Sequence, residues 1–218
     1  MAEAIQERCT ACWLHRPLCL CAEVKRNDSQ TRVKVVLHCG ELSRPSNTGH
    51  LIPLAMTQAR CIVRGGEGGQ RLDAPGLVDE GRRNVLLYPD PNATVLSTDF
   101  RSSDERPLTL IVPDGSWRQS RRMFCRDLGM LPVERVCLPA GELSQYELRK
   151  QTDPAHCSTL EAVARALGAV ESKELENSLL SVMALFVERA SLGRYGDAYS
   201  GKLLSPMTVL PEYSTQGF

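Results

Sequence analysis

Leu108-Thr-Leu-Ile-Val-Pro-Asp-Gly-Ser-Trp117 is the stretch from which the rest of the chain can be read. The apolar, partly β-branched run 108–112 predicts a buried strand. Pro113 and Asp114 close it, Gly115 permits a tight turn, and Ser116 can cap a following helix. That helix carries Arg118, Arg121 and Arg122, with Arg126 one turn on. Spacings of three and four put the first three on one face. A cationic stripe beside a carboxylate at a strand end suits a phosphate-contacting surface next to a general base. Spacing alone leaves open a plainer reading, in which the aspartate bonds its own turn and the arginines form a solvated face.

Working outward, the same strand signal recurs at 33–37, 61–63, 84–88 and 133–138. Ser46 or Asn47 can cap a helix after Pro45, on which Leu51, Leu54, Ala55 and Gln58 share helical spacing. Gly65, Gly66, Gly68 and Gly69 mark a loop. Two helices are predicted further on, over 159–168 and 171–191, with apolar stripes Leu160/Val163/Ala164/Leu167 and Leu175/Leu179/Val182/Met183/Phe186. Strands alternating with helices predict an α/β fold with a largely parallel sheet. Ligands of such sheets sit beyond the C-terminal strand ends, where Tyr88-Pro89, Asp114–Trp117 and the turn after Leu138 fall.

Two further polar clusters stand at such ends. Ser158-Thr159-Leu160-Glu161 is a capping box, and its helix start can also take an anion. His38-x-x-Glu41-x-x-Arg44-x-x-Asn47-Thr48 repeats polar residues every three positions after a strand. A lone histidine there is commonly structural, but five polar side chains in one connection are harder to dismiss.

Near the N-terminus Cys9-Thr-Ala-Cys12 and Cys19-Leu-Cys21 give C-x2-C-x6-C-x-C around an apolar loop. Each close pair can span adjacent corners of a tetrahedron, which predicts one structural Zn²⁺ on Cys9, Cys12, Cys19 and Cys21. Disulfides need an oxidising compartment, and the N-terminus shows no apolar signal segment. The cysteines number nine, an odd count, and the other five lie scattered in apolar segments, as buried thiols do. An iron site suits this spacing less well.

Lys+Arg and Asp+Glu are both 26 in 218 residues. A net charge of zero argues against wrapping nucleic acid by bulk charge. No apolar run approaches the ~18 residues of a membrane span. A soluble protein without a membrane partner is expected, cytoplasmic or, in a eukaryote, nuclear. The expected organisation is a zinc knuckle over 1–30, a catalytic domain over 31–195 and an irregular tail over 196–218.

The knuckle ending in Leu18-Cys-Leu-Cys21, then His38-x-x-Glu-x-x-Arg-x-x-Asn-Thr-Gly49, Leu86-Leu-Tyr-Pro89, Asp114-Gly-Ser-Trp117 and Ser158-Thr-Leu-Glu-Ala162, together resemble the DTW-domain family. The naming motif carries Ser116 where threonine is usual, which keeps the hydroxyl. The resemblance covers about residues 8–170. It implies a fold like that of the SPOUT methyltransferases, with a knotted cofactor site. It implies transfer of the 3-amino-3-carboxypropyl group of S-adenosylmethionine to N3 of a tRNA uridine, with 5′-methylthioadenosine released. On that reading Asp114 is the candidate base, with Glu161 as the alternative. Leu87, Tyr88, Pro89 and Leu138 would hold adenine and ribose. Asp114, Gly115, Ser116, Trp117, Ser158 and Thr159 would complete the donor site, and Glu161 or its neighbours would hold the donor's amino-acid end. Arg118, Arg121 and Arg122, with His38, Arg44 and Asn47, would face the tRNA together with the knuckle. A non-enzymatic zinc-knuckle RNA-binding protein and a SPOUT-like RNA methyltransferase are the alternatives.

Overall fold

Short β-branched runs separated by helices can hide both faces of a sheet only if the strands run parallel and the helices cross over. The computed structural model, which describes residues 8–65, 74–140, 144, 146, 148 and 157–195, has this arrangement. Its strands are β1 (Arg32–His38), β2 (Ala59–Arg64), β3 (Arg83–Leu87), β4 (Thr94–Val95), β5 (Leu108–Asp114) and β6 (Glu134–Cys137). They form one sheet in the order β2-β1-β5-β3-β6-β4, and every pairing is parallel. The connection from β1 leads outward to β2, and that from β5 leads the other way, past β3, to β6. Neighbouring strands whose connections diverge open a crevice at their C-terminal ends. Here those ends are His38 and Asp114, with Leu37 paired to Asp114.

The helices are α1 (Ile52–Ala55), α2 (Ala74–Leu77), α3 (Trp117–Arg126), α4 (Thr159–Val170) and α5 (Lys173–Tyr195). On one face of the sheet Val33, Val35, Val85, Leu87, Leu110 and Val112 pack against Leu160, Val163 and Leu167 of α4 and Leu179 and Phe186 of α5. Cys12, Leu14, Leu20 and Cys21 join this same core, so the cysteine segment is docked onto the domain. On the other face Val36, Leu86 and Ile111 meet Met123 of α3, with Leu77 and Leu128. Among the described residues no helix is long and apolar enough to cross a membrane.

Most of the expected elements form where the periodicity put them, and three differ. The helix expected after Pro45 shrinks to a 3-10 turn (Gly49–Leu51) and one turn of α1. The polar connector before β1 takes its backbone groups: Asn27 donates to Ala55 O (2.8 Å), Thr57 N–H donates to Asn27 O (3.0 Å), and Met56 turns extended. Strand β5 runs on through Pro113 and Asp114, where β1 still pairs with it while the pairing with β3 ends at Ile111. Strand β4, two exposed residues at the sheet edge, has no signature in the sequence. The threading on which the expected knot depends, between β6 and α4, lies largely outside the described residues, as do Gly66, Gly68, Gly69 and the tail 196–218.

Candidate functional site

The four sulfurs of Cys9, Cys12, Cys19 and Cys21 lie within 4.8 Å of one another. Cys9 Sγ is 3.6 Å from Cys21 Sγ and Cys12 Sγ is 3.7 Å from Cys19 Sγ. Zinc–thiolate bonds near 2.3 Å give tetrahedron edges of about 3.8 Å, whereas a disulfide needs about 2.05 Å. The donor set therefore fits a closed structural zinc site, and all nine cysteines are free thiols. Between the two pairs Trp13 takes φ 59°, a conformation bulky residues rarely adopt. Its ring lies flat on the His50 ring, 3.9 Å between centroids and 7° between planes, and His50 meets Phe186 of α5 edge-on.

Asp114 is bonded to segments far from its own turn. It is 2% exposed and joins three segments. Asn47 Nδ2 donates to its Oδ2 (2.5 Å), and the Thr159 hydroxyl, at the first position of α4, donates to Oδ1. Gly49 lies flush against this carboxylate; a Cβ there would stand 2.5 Å from Asp114 Oδ2, so the position requires glycine. Glu41, fully buried, accepts from Asn47 Nδ2 (3.5 Å) and pairs with the half-exposed Arg44 (3.4 Å).

The start of α4 is capped from within. Leu160 N–H donates to Thr48 Oγ1 (3.3 Å), Glu161 N–H to Ser158 Oγ (3.3 Å), and Glu161 Oε2 accepts from Ser158 N–H (2.8 Å) and Ser144 Oγ (2.6 Å). A donor carboxylate at this helix start would compete with those groups rather than find open N–H donors. The thiols beside these carboxylates stay protonated. Burial, reinforced by Asp114, pushes Cys61 up to about 12. Burial, reinforced by Glu161, pushes Cys157 up to about 11. Neither is a thiolate nucleophile at neutral pH.

On the opposite face, Tyr88, Trp117, Arg118, Arg121, Arg122, Cys125 and Arg126 line an open groove of about 510 Å³. Tyr88 is stacked on Phe124 at 4.2 Å, and Trp117 is 41% exposed. The groove is cationic with aromatic flanks, a combination that suits a nucleic-acid strand. Its helix is tied to β1: Gln119 caps Ser116 N–H (2.7 Å), and its side-chain amide reaches His38 Nδ1 (3.2 Å). Gly40 N–H donates to the same nitrogen (3.0 Å). Because that N–H can only donate, Nδ1 is the acceptor, and burial, then the Arg64 charge, lowers the His38 pKa.

The residues expected at the donor site thus divide. Asp114, Ser158, Thr159 and Glu161 meet at the α4 start, and Leu87 and Leu138 join the core on that face. Tyr88 and Trp117 stand in the arginine groove. Gly115 lies between, where an added Cβ would stand 3.0 Å from Gln119 Cβ, closer than ordinary contact. Sequence reasoning passed over His50, Gln119 and Trp13. Gln119 had a signal, since Ser116-x-x-Gln119 is itself a capping box. For Trp13 and His50, which meet only across the fold, there was none.

The comparisons with known proteins give the family and the fold. The DTW domain matches residues 6–191. The tRNA-uridine aminocarboxypropyltransferase 2 of Mus musculus is 30% identical over 177 residues, covering 79% of this chain and 59% of that protein. The chain therefore spans about three-fifths of that relative. The tRNA-uridine aminocarboxypropyltransferase A of Arabidopsis thaliana is 27% identical, with 96% and 87% covered. Among solved structures, the SAM-dependent rRNA:acp-transferase Tsr3 from Vulcanisaeta distributa shares the fold, with a TM-score of 0.50 at 19% identity over 75% of this chain and 79% of that one. With its motifs in order and 186 of its residues inside the domain match, this chain belongs to the DTW-domain family.

Proposed function

We propose that this protein transfers the 3-amino-3-carboxypropyl group of S-adenosylmethionine to N3 of a uridine in tRNA. The observation that carries the reading is the convergence of the Asn47–Asp114–Thr159 junction and the arginine groove on one strand end, in a chain whose relatives bear the transferase name. The reaction is a displacement at carbon. The N3–Cγ bond forms, the Cγ–S bond breaks, and its electron pair stays on sulfur, releasing neutral 5′-methylthioadenosine. The sulfonium activates three carbons, so the protein's task is to bring Cγ rather than the methyl in line with N3, and that orientation is the main source of rate.

The N3 proton needs an acceptor. Asn47 and Thr159 bond one oxygen each of Asp114, and a carboxylate held there can take the proton from a base docked against it. Asn47 and Thr159 hold it still, and the surrounding core excludes water. Leu87 and Leu138 supply an apolar wall for the donor's adenosine on the α4 face. Arg118, Arg121 and Arg122 hold tRNA phosphates, with affinity that falls as salt rises. Nucleoside mass spectrometry of tRNA incubated with the protein and S-adenosylmethionine tests the proposal. An aminocarboxypropyl increment on uridine is expected. A methyl increment would make it a methyltransferase, and RNA binding without modification would make it a binding module.

A further inference from the structure

We infer that Trp13 and His50 are positioning residues for this transfer, carrying the shape of the cysteine knuckle through Asn47 to the carboxylate of Asp114. The inference rests on the proposed activity for its kinetic consequence, but not for its geometry.

The link that matters is the Asn47 side chain, 2% exposed. An amide can be turned either way, and here its surroundings decide. Its Oδ1 receives the backbone N–H of His50 (3.2 Å), which can only donate. Its Nδ2 faces Asp114 Oδ2 and Glu41 Oε2. The flipped amide would set its oxygen against two carboxylates and its NH2 against an N–H, losing every bond it makes. The His50 ring adds a second hold on Oδ1 through Nδ1 (3.3 Å), which must carry the proton to donate. The amide aimed at Asp114 is therefore oriented by the His50 backbone N–H and the two carboxylates, and the place of the His50 ring decides how firmly it is held.

That ring is placed by Trp13. It lies in a slot between the Trp13 face and the Phe186 edge and is nearly inaccessible to solvent. Trp13 can lie flat on it because the knuckle holds its backbone at φ 59°, with Trp13 N–H bonded to Cys9 O (2.9 Å) and Cys9 N–H to Leu14 O (2.8 Å). A bulky residue in that conformation is strained and persists only while the loop between the cysteine pairs is closed. The knuckle thus reaches the reacting end of the molecule through one stacked pair and one amide.

The test compares His50→Phe, Trp13→Leu and Trp13→Phe with the parent protein, each with its zinc. His50→Phe keeps the stack and the burial and removes only the ring donor. It should fold, while kcat for transfer to tRNA falls ~10-fold, the worth of one buried hydrogen bond. KM values for S-adenosylmethionine and tRNA should stay within ~2-fold, since no substrate contact is lost. In nitrogen-15 spectra the Asn47 side-chain NH2, assigned by its loss in Asn47→Ser, should lose its protection from solvent exchange. Trp13→Leu should reproduce both effects, and Trp13→Phe, which keeps a flat ring, should largely restore them. Parent-like kcat and Asn47 protection in His50→Phe, or in Trp13→Leu should His50→Phe not fold, would overturn the inference. If the parent itself transfers nothing, the proposed function fails, while the Asn47 signals still decide whether the knuckle governs the amide.

Discussion

Helices α3 and α4 begin at the same edge of the sheet with the same local device and end in opposite circumstances. Both open on a serine whose hydroxyl takes the N–H three residues on, with a side chain reaching back: Ser116 with Gln119, and Ser158 with Glu161. In α4 seven residues are buried, Glu161 among them. In α3 only Ser120 and Met123 are buried, and the arginines line an open groove. The faces beneath differ too. Under α4 the sheet offers Val33, Val35 and Val85. Under α3 it also buries Lys34, whose ammonium reaches Leu77 O (2.9 Å), Gly76 O (3.2 Å) and Asp79 Oδ1 (2.7 Å). The lesson is that a cap fixes where a helix starts but not what it is for. The α4 face is a core with a carboxylate junction at its rim, and the α3 face is a wet, cationic surface.

Asp114 is where the two faces meet, so its substitution should have the largest effect. Asp114→Asn would turn an NH2 toward either Asn47 Nδ2 or the Thr159 hydroxyl, both donors now. Single-turnover transfer should fall by roughly 10²–10⁴, with S-adenosylmethionine binding retained. Near-parental transfer would show that the junction is only architecture. Loss of donor binding in step with turnover would make Asp114 a donor ligand and move the proton acceptor to Glu161.

The buried lysine is the weak point of the α3 face. Asp79→Asn should destabilise the protein by about 3–5 kcal/mol in urea unfolding, because it strips the anion from a charge with no access to water. Acid should act on the same pair. Burial alone would raise the Asp79 carboxyl, but hydrogen bonds from Lys34, Thr109 and Arg32 outweigh it and hold it at about 2, below its ordinary 3.8. A folded value below the unfolded one adds stability that is complete above about pH 4 and lost as the pH falls toward 2. Urea midpoints should drop over that window, and less so in Asp79→Asn. An identical acid profile for the two proteins would remove this contrast between the faces.

The caps themselves sharpen the comparison on a smaller scale. Ser158→Ala should cost about 2 kcal/mol and Ser116→Ala about 0.5 kcal/mol, because water can replace the second cap and not the first. Equal losses would mean that the two helix starts are equally buried in solution. Smallest for stability is the replacement of Arg118, Arg121 and Arg122 by glutamine, expected within about 0.5 kcal/mol of the parent. On the proposed function its effect falls on tRNA binding: each lost phosphate contact should flatten the log–log salt dependence by ~0.9 for a duplex partner, with donor binding unchanged. An unaltered slope would reduce the stripe to a solvated face.

Much of this was legible from residues alone, for reasons particular to each. The run 108–112 is apolar without alternation, which only a strand covered on both faces tolerates, and β5 is the strand buried along its whole length. The cysteine spacing prescribed a tetrahedral cluster because close pairs leave thiolates few other places to be. Ser158-x-x-Glu161 announced its helix to the residue. The expected helix after Pro45 failed because its signal was local, while the competitor, the 25–30 connector, acts from a distance. Asp114 was read as bonding its turn or acting as a base. Two of its partners, Asn47 and Thr159, lie 67 and 45 residues away.

The sequence by itself determined the parallel α/β class, the cysteine cluster, the capped helix starts and the arginine stripe, because each follows from interactions within a few residues. Only the tertiary structure decided which carboxylate is buried, which face of the sheet each motif joins, and that Trp13 reaches Asp114 by way of His50 and Asn47. Those outcomes depend on which distant segments share a strand end, and the divergence of the connections leaving β1 and β5 settles that, not any local preference.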